Sequence, residues 1–385
     1  DPDQDGDLDV AVANNNGYAV ISNDGSGRFE ETSAQVYANP TGWGAHDVNG
    51  DGLLDLLLVN KNGPESALIV HTGAQPVPQD IGLEARGIVR TILFDDFDRD
   101  LNTDCYVSTS AFGDTRDWNQ FYAGLPDGSF SDNRIDDSFE TGAVDFWHAP
   151  AGGPNGCTGE WSTKQFKGAV VRDFDGDGLP DVLTCAYADR GFQDQDCLEY
   201  AVQWIENGTR GVFLFHNQSE PGRIHFVECA ASAFGSDIHG NTAEYWNPYQ
   251  AAPLDYDRDG DLDLFIGATI RKNLETGFTE DTPAVRFFEN ISTPGSPKFV
   301  DRTREAGFAW INDLPAGERR GYRMAAAVQA DIDNDGHMDL IAVNRADPDK
   351  TEAAYTLVFR NNGDRTFTEI APQQHGLSHG AGGRD

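Results

Sequence analysis

The chain has 385 residues and a formal net charge of −36, from 28 Lys and Arg against 64 Asp and Glu. Such an excess of anion repels phosphate backbones and anionic bilayers, which excludes nucleic acid and charged membrane surfaces as partners. No apolar run reaches the roughly 18 residues that a membrane-spanning helix needs, so no membrane span is expected. The chain begins at Asp1 without an initiator Met or a visible signal peptide, the pattern expected of a mature product or a fragment.

Six nine-residue stretches place Asp or Asn at positions one, three and five, in three of them also at position seven, and end on Asp. The first offers Asp1, Asp3, Asp5, Asp7 and Asp9. The second offers Asp47, Asn49, Asp51 and Asp55, with the main-chain carbonyl of Leu53. Asp96, Asp98, Asp100, Asn102 and Asp104 form the third, in which Leu101 stands where the others turn at Gly. The fourth carries Asp173, Asp175, Asp177 and Asp181 with the carbonyl of Leu179, and the fifth Asp255, Asp257, Asp259, Asp261 and Asp263. The sixth carries Asp331, Asp333, Asp335 and Asp339 with the carbonyl of His337. Packing so many carboxylates into nine residues is electrostatically costly unless a hard cation sits among them, and Ca2+ takes the six to eight oxygens such a loop can supply. Up to six Ca2+ ions are expected. Because Gly at position six reverses the chain at no steric cost, the third loop is expected to be distorted or weak.

Each loop opens onto a short apolar run bounded by polar turns, as in Leu8–Ala13, Leu54–Val59, Leu262–Gly267 and Met338–Val343. These runs read as strands, and an EF-hand is excluded because flanking helices and a Glu at position twelve are both missing. A second signature follows most loops: a Gly-containing turn and then a fixed Phe, at Asn23–Phe29, Gly124–Phe130, Asn217–Phe226, Asn290–Phe299 and Asn361–Phe367. The second repeat departs from it over His71–Pro78. The turn predicts a second hairpin per repeat, with the Phe filling the gap between neighbouring sheets. Two hairpins make a four-stranded unit.

Loop and turn together resemble the FG-GAP or VCBS repeat family, the calcium-binding blades of integrin α-subunit propellers and of cartilage acidic protein. The resemblance implies an all-β fold, a β-propeller of six four-stranded blades with calcium-binding hairpin loops. Long intervals after the third, fourth and fifth loops leave room for a seventh blade. Residues 1–385 are then one domain. Its first blade lacks a leading strand, which residues 379–385 are expected to supply, within the chain ahead of donation to the next molecule in a head-to-tail assembly. Calcium sites of this hairpin type are expected to bind at roughly 0.1 to 1 mM, which places the protein in an extracellular, secreted or cell-surface setting.

Five cysteines show no C-x-x-C pair; Cys185 and Cys197 flank a loop and are expected to bridge, and Cys105 reads as a small buried hydrophobe. Asn207, Asn217 and Asn290 open glycosylation sequons, the last two at turns expected to be exposed. The insertions at about 141–165, 188–210 and 235–249 set Trp147, Trp161, Trp246 and Tyr249 among polar side chains. Such rings can stack on sugars, or simply pack the insertions onto the scaffold, and for any one ring packing carries more weight. No H-E-x-x-H motif occurs, and His148, His239 and Tyr249 are the residues a polysaccharide lyase or hydrolase would use. The reading from sequence is a non-enzymatic extracellular calcium-binding propeller serving adhesion, glycan binding or assembly, with a glycan or an extracellular protein as partner. A carbohydrate-active enzyme with its site on the insertions is the alternative.

Overall fold

The structure is a computed structural model. It describes residues 6, 9–14, 17–26, 28–35, 40–47, 55–60, 67–70, 77–79, 88–110, 120–131, 139–140, 164–188, 211–235, 238, 248–268, 284–313, 324–344, 355–371 and 374. The chain divides into two compact units: Asp1–Gly153 with Thr158–Phe166 and Asn217–Phe226, and Pro154–Cys157 with Lys167–His216 and Val227–Asp385.

In the first unit β1 (Val10–Asn14), β2 (Gly17–Asn23) and β3 (Phe29–Gln35) form an antiparallel three-stranded sheet. Next come four antiparallel strands, β4 (Pro40–His46), β5 (Asp55–Asn60), β6 (Ala67–Val70) and β7 (Val77–Gln79). Then β9 (Asp104–Ser110) pairs with both β8 (Ile88–Asp95) and β10 (Gln120–Tyr122), and the short β11 (Phe139–Glu140) follows. Strands β12 (Lys164–Arg172), β13 (Asp181–Ala188), β14 (Gly211–Asn217) and β15 (Phe226–Glu228) lie side by side in that order. Two further four-stranded antiparallel sheets complete the second unit. One is β16 (Pro248–Leu254), β17 (Asp263–Ala268), β18 (Val285–Asn290) and β19 (Phe299–Asp301). The other is β20 (Met324–Ala330), β21 (Asp339–Asn344), β22 (Tyr355–Asn361) and β23 (Phe367–Ile370). The α-helices among the described residues are α1 (Ala230–Phe234) and α2 (Ala309–Asp313), five residues each.

This is an all-β architecture of mostly four-stranded antiparallel sheets, as in a propeller, with β9 also pairing β12 so that strands of the third and fourth repeats share one eight-stranded sheet. From the second repeat onward the acidic loop joins the first and second strands of its sheet, where the sequence places it. The strand expected at 379–385 lies outside the described residues, as does most of each insertion.

Period-two alternation packs the second unit. On β17 and β18, Leu264, Ile266, Ala268 and Phe288 turn towards Leu183, Val212 and Leu214 of the preceding sheet. Phe265 and Phe287, facing the other way, meet Leu340, Leu357 and Phe359 of the following one. A sheet buried on both faces must be apolar on both, which explains the unbroken run from Leu264 to Ile266. Gly267 lets the backbones approach, since a Cβ there would lie 2.4 Å from that of Met324. Phe308, just before α2, brings its ring within 5.1 to 5.6 Å of Phe265, Phe287, Phe359 and Phe367.

The fixed Phe of the second hairpin does fill gaps in three repeats. Phe226, Phe299 and Phe367 are buried and meet the second residue of the preceding loop, Phe97 at 5.6 Å, Phe174 at 6.0 Å and Tyr256 at 6.3 Å. Phe130 packs instead on Phe94, and Phe29 stands half exposed.

The Asn that opens the hairpin turn makes the matching polar contact. Nδ2 of Asn217 donates to the carbonyl of Phe97 at 2.8 Å, that of Asn290 to Phe174 at 2.7 Å, and that of Asn361 to Tyr256 at 2.8 Å. All three side chains are buried, which corrects the expectation of exposed sequons at Asn217 and Asn290: a glycan on either nitrogen would have to break the bond. Asn207 lies outside the described residues. The bridge expected between Cys185 and Cys197 involves Cys197, which lies outside the described residues; Cys185 itself is a free, fully buried thiol on β13. Cys105 is a buried free thiol, as expected of a small hydrophobe. Burial pushes both thiols upward in pKa.

Asn290→Ala removes a buried donor and orphans the Phe174 carbonyl, a loss of about 1 to 3 kcal/mol. Urea denaturation should show that loss, and mass mapping of protein from a glycosylating host should find Asn217 and Asn290 bare.

Candidate metal centres

The nine-residue loops hold themselves in shape through their own carboxylates. At position one, Asp96 accepts the N–H groups of Asp100 and Leu101, Asp173 those of Gly176 and Gly178, and Asp331 those of Asp335 and Gly336, all at 2.8 to 3.1 Å. At position five, Asp100, Asp177 and Asp335 accept the N–H of the residue two further on.

The ninth aspartate ties the loop to the rest of its sheet. Asp104 takes the Phe97 N–H on one oxygen and the Gly124 N–H on the other, each at 2.8 Å. Asp263 does the same with Tyr256 and Asn290, and Asp339 with Ile332 and Asn361. Asp9 accepts the N–H of Asn23 at 2.9 Å. Spacing alone marks these residues as ligands; their second role, bonding the third strand or its turn, depends on contacts 14 to 27 residues away.

Two backbone positions in each described loop, not one, are left-handed. Position four is Arg99, Gly176, Arg258 or Asn334, with φ between 59° and 74°, and position six is Leu101, Gly178, Gly260 or Gly336, with φ between 72° and 98°. The sequence pattern reveals position six through its Gly and gives no comparable sign at position four. Leu101 adopts φ 72° after all, and the third loop keeps the position-one hydrogen bonds of the sixth, so its expected distortion is not found.

Carboxylate oxygens converge in all four fully described loops. Asp96, Asp98 and Asp104 bring one oxygen each within 4.8 Å of one another, as do Asp173, Asp175 and Asp181, then Asp255, Asp257 and Asp259, and Asp331, Asp333 and Asp339. A further cluster joins Asp175 and Asp177 to His216 of β14, a residue the sequence reading passed over because a single His inside an apolar strand carries no spacing signal. Of the remaining proposed ligands, Asn102, Leu179, Asp261 and His337 sit at position seven of their loops. Asp47 and Asp55 flank the second loop, while Asp1, Asp3, Asp5, Asp7, Asn49, Asp51 and Leu53 lie outside the described residues. Tyr249 is half-buried on β16; Trp147, Trp161, Trp246, His148 and His239 lie outside the described residues. His46 is a structural neighbour, its ring stacked on Phe94 and its Nε2 2.9 Å from Thr103 Oγ1.

The electrostatics fit a hard dication. Burial, reinforced by neighbouring carboxylates, raises the pKa of Asp98, Asp175 and Asp257, and raises Asp104 and Asp261 to about 7 and Asp263 to about 8. Among the described residues Asp255 Oδ1, Asp257 Oδ1 and Asp261 Oδ1 are sealed from solvent and accept no hydrogen bond. Crowded, desolvated carboxylates with spare lone pairs need protons or a cation.

Antiparallel sheets that carry, from the second repeat onward, an acidic loop between their first two strands define a class of acidic-loop repeat protein. Residues 1–58 match the FG-GAP-like repeat family. Curated proteins give no match. A solved Agrocybe aegerita lectin, described for specific recognition of non-reducing terminal N-acetylglucosamine, is similar at 16% identity and TM-score 0.49 over 94% of this chain and 75% of the lectin. A putative 6-phosphogluconolactonase from Bacteroides fragilis is similar at 12% identity and TM-score 0.46 over 95% and 82%.

Leu101 is exposed and buries nothing, yet holds a conformation that costs an L-residue about 1 to 2 kcal/mol. Leu101→Gly relieves that strain and gives part of it back through unfolded-state entropy, for a net gain of about 0.5 to 1 kcal/mol in chelator; an unchanged urea midpoint would show that no strain is stored there. The raised carboxylates set a pH dependence. In chelator the folded state keeps protons on Asp104, Asp261 and Asp263 up to pH 7 to 8, whereas the unfolded chain releases them near 3.8. The folded state binds more protons in that window, so stability falls as pH rises from about 4 to 8. Melting temperatures in EDTA should drop across this range, and Asp261→Asn should flatten part of the slope.

Proposed function

We propose that the chain is a calcium-stabilised extracellular β-propeller whose role is to present a binding surface to a glycan or an extracellular protein, without catalysis. The observation that supports the calcium reading is the convergence of buried, unsatisfied carboxylate oxygens in the fourth and fifth loops on backbones shaped to hold them. Asp255, Asp257 and Asp259 would hold the ion in the fifth loop, with the equivalent trios in the third, fourth and sixth. The ion supplies the positive charge that allows these carboxylates to ionise together. The chain's own residues do the rest: positions one and five fold the loop through main-chain N–H groups, and position nine fixes the second hairpin to it.

Ca2+ accounts for the donors better than a smaller ion does, because it accepts an irregular shell of carboxylates and carbonyls whereas Mg2+ demands a near-octahedral one and retains water. Affinities of roughly 0.1 to 1 mM are suited to extracellular calcium. Rigid repeats carrying long insertions suit recognition, since insertions vary freely over a fixed scaffold.

At free calcium about twenty times Kd each site contributes about 1.8 kcal/mol, so the melting temperature should climb steeply from EDTA to millimolar calcium. An unmoved transition would leave the loops as ordinary acidic turns. A glycan array probed with and without calcium addresses the ligand: calcium-dependent binding of a defined sugar class supports the glycan reading, and release of unsaturated or hydrolysed sugar would replace it with the enzyme.

A further inference from the structure

The residue preceding the Asn that opens the hairpin turn differs from repeat to repeat: Ser22, His216, Glu289 and Arg360. In the fourth repeat this residue turns its imidazole into the acidic loop. His216 Nε2 lies 3.2 Å from Asp175 Oδ2 and 3.5 Å from Asp177 Oδ2. The residues His216 and Asp175 are only 7% and 4% exposed, and Asp175 Oδ2 is sealed from solvent and accepts no hydrogen bond, its other oxygen taking the Asp177 N–H at 3.1 Å.

The fifth repeat shows what this slot requires. There the equivalent third-position carboxylate, Asp257, faces the guanidinium of Arg365 at 2.9 Å, and the same guanidinium reaches Glu289, the residue equivalent to His216, at 3.2 Å. Arg365 comes from the hairpin turn of the sixth repeat. The corresponding turn of the fifth repeat ends in Lys298, whose Nζ donates to the carbonyl of Ser232 at 2.7 Å. A side-chain cation thus fills the slot beside Asp257, and beside Asp175 the slot is lined by an imidazole nitrogen and two carboxylates.

We infer that the fourth loop is a mixed nitrogen and oxygen site for a first-row transition dication such as Zn2+, Mn2+ or Co2+, held by Asp175, Asp177 and His216, unlike the all-oxygen trios of the other loops. Two ligands at about 2.1 Å from one ion, separated by 90° to 110°, lie roughly 3.0 to 3.4 Å apart; the 3.2 Å from His216 to Asp175 falls within that spacing and the 3.5 Å to Asp177 just beyond it. Imidazole with carboxylate suits Zn2+, Co2+ and Mn2+, whereas Ca2+ takes oxygen. Asp175 and Asp177 are shared with the proposed calcium set of this loop, so the transition metal displaces one Ca2+ and leaves the others in place.

The test titrates the full chain with Zn2+ by calorimetry and with Co2+ by visible absorption, in chelator-stripped and in calcium-loaded protein. Wild type should take up one equivalent more tightly than any further equivalents, and should release one Ca2+ in the loaded form. His216→Gln should lose at least tenfold in affinity for that equivalent and the absorption of a nitrogen-ligated Co2+, while keeping its calcium-dependent gain in melting temperature. Asp177→Asn, at a less buried position, serves as a second variant with the same expected loss. Wild type without a tight equivalent, or binding and absorption unchanged in both variants, overturns the assignment and indicates an imidazolium paired with Asp175. The calcium reading is judged separately by the melting shift and survives either result.

Discussion

A buried carboxylate whose two oxygens each accept a main-chain N–H is the contact on which the third, fifth and sixth repeats depend. Asp104, Asp263 and Asp339 stand at the start of the second strand and hold the second residue of their own loop with one oxygen and the opening of the second hairpin with the other. Loop, second strand and hairpin turn are therefore fixed by one side chain. An Asn in its place would offer a single carbonyl oxygen and an NH2 facing a donor, so the pattern of acceptors requires the acid itself. Burial makes the charge expensive, and the raised pKa of Asp104 and Asp263 expresses that expense.

The proposed cation follows from this constraint. Once the ninth residue must be a buried acid, the odd-numbered acids above it add to a negative field that protons relieve up to about pH 7 to 8. A divalent ion relieves it at neutral pH without consuming the hydrogen bonds, because a carboxylate oxygen that accepts one N–H keeps a lone pair for metal. In the fifth repeat Arg365 supplies part of the same relief from a neighbouring hairpin. Arg365 and the proposed dication would thus answer the same electrostatic problem.

Much of this was legible in the sequence, because alternation of acids with a turning Gly and an apolar strand is a local pattern. It placed the loops, the two hairpins per repeat and the packing role of Phe226, Phe299 and Phe367. What escaped was of two kinds. Arg99, Arg258 and Asn334 adopt positive φ without being Gly, so the demand at position four leaves no mark in the residue chosen. Asn217 and Asn290 read as glycan acceptors because a sequon is defined over three residues, whereas their bonds to Phe97 and Phe174 span more than a hundred. His216 belongs to the second kind.

The Asn clamp and the ninth aspartate also share atoms in a way that joins one repeat to the next. In the second unit the carboxylate of Asp181 bonds the Phe174 N–H, the Phe174 carbonyl receives Asn290, the Asn290 N–H bonds Asp263, Asp263 holds Tyr256, Tyr256 receives Asn361, and Asn361 bonds Asp339. This is an unbroken line of buried hydrogen bonds threaded through three consecutive loops. In a repeat array whose units met only through apolar faces, each unit would open with nearly its own free energy. Here a loop that loses its shape withdraws an acceptor from the following sheet, so fluctuations in one repeat are correlated with those of its neighbour. An interior repeat is therefore protected against opening from both sides, and fraying in this part of the molecule should advance inward from an end, one loop at a time.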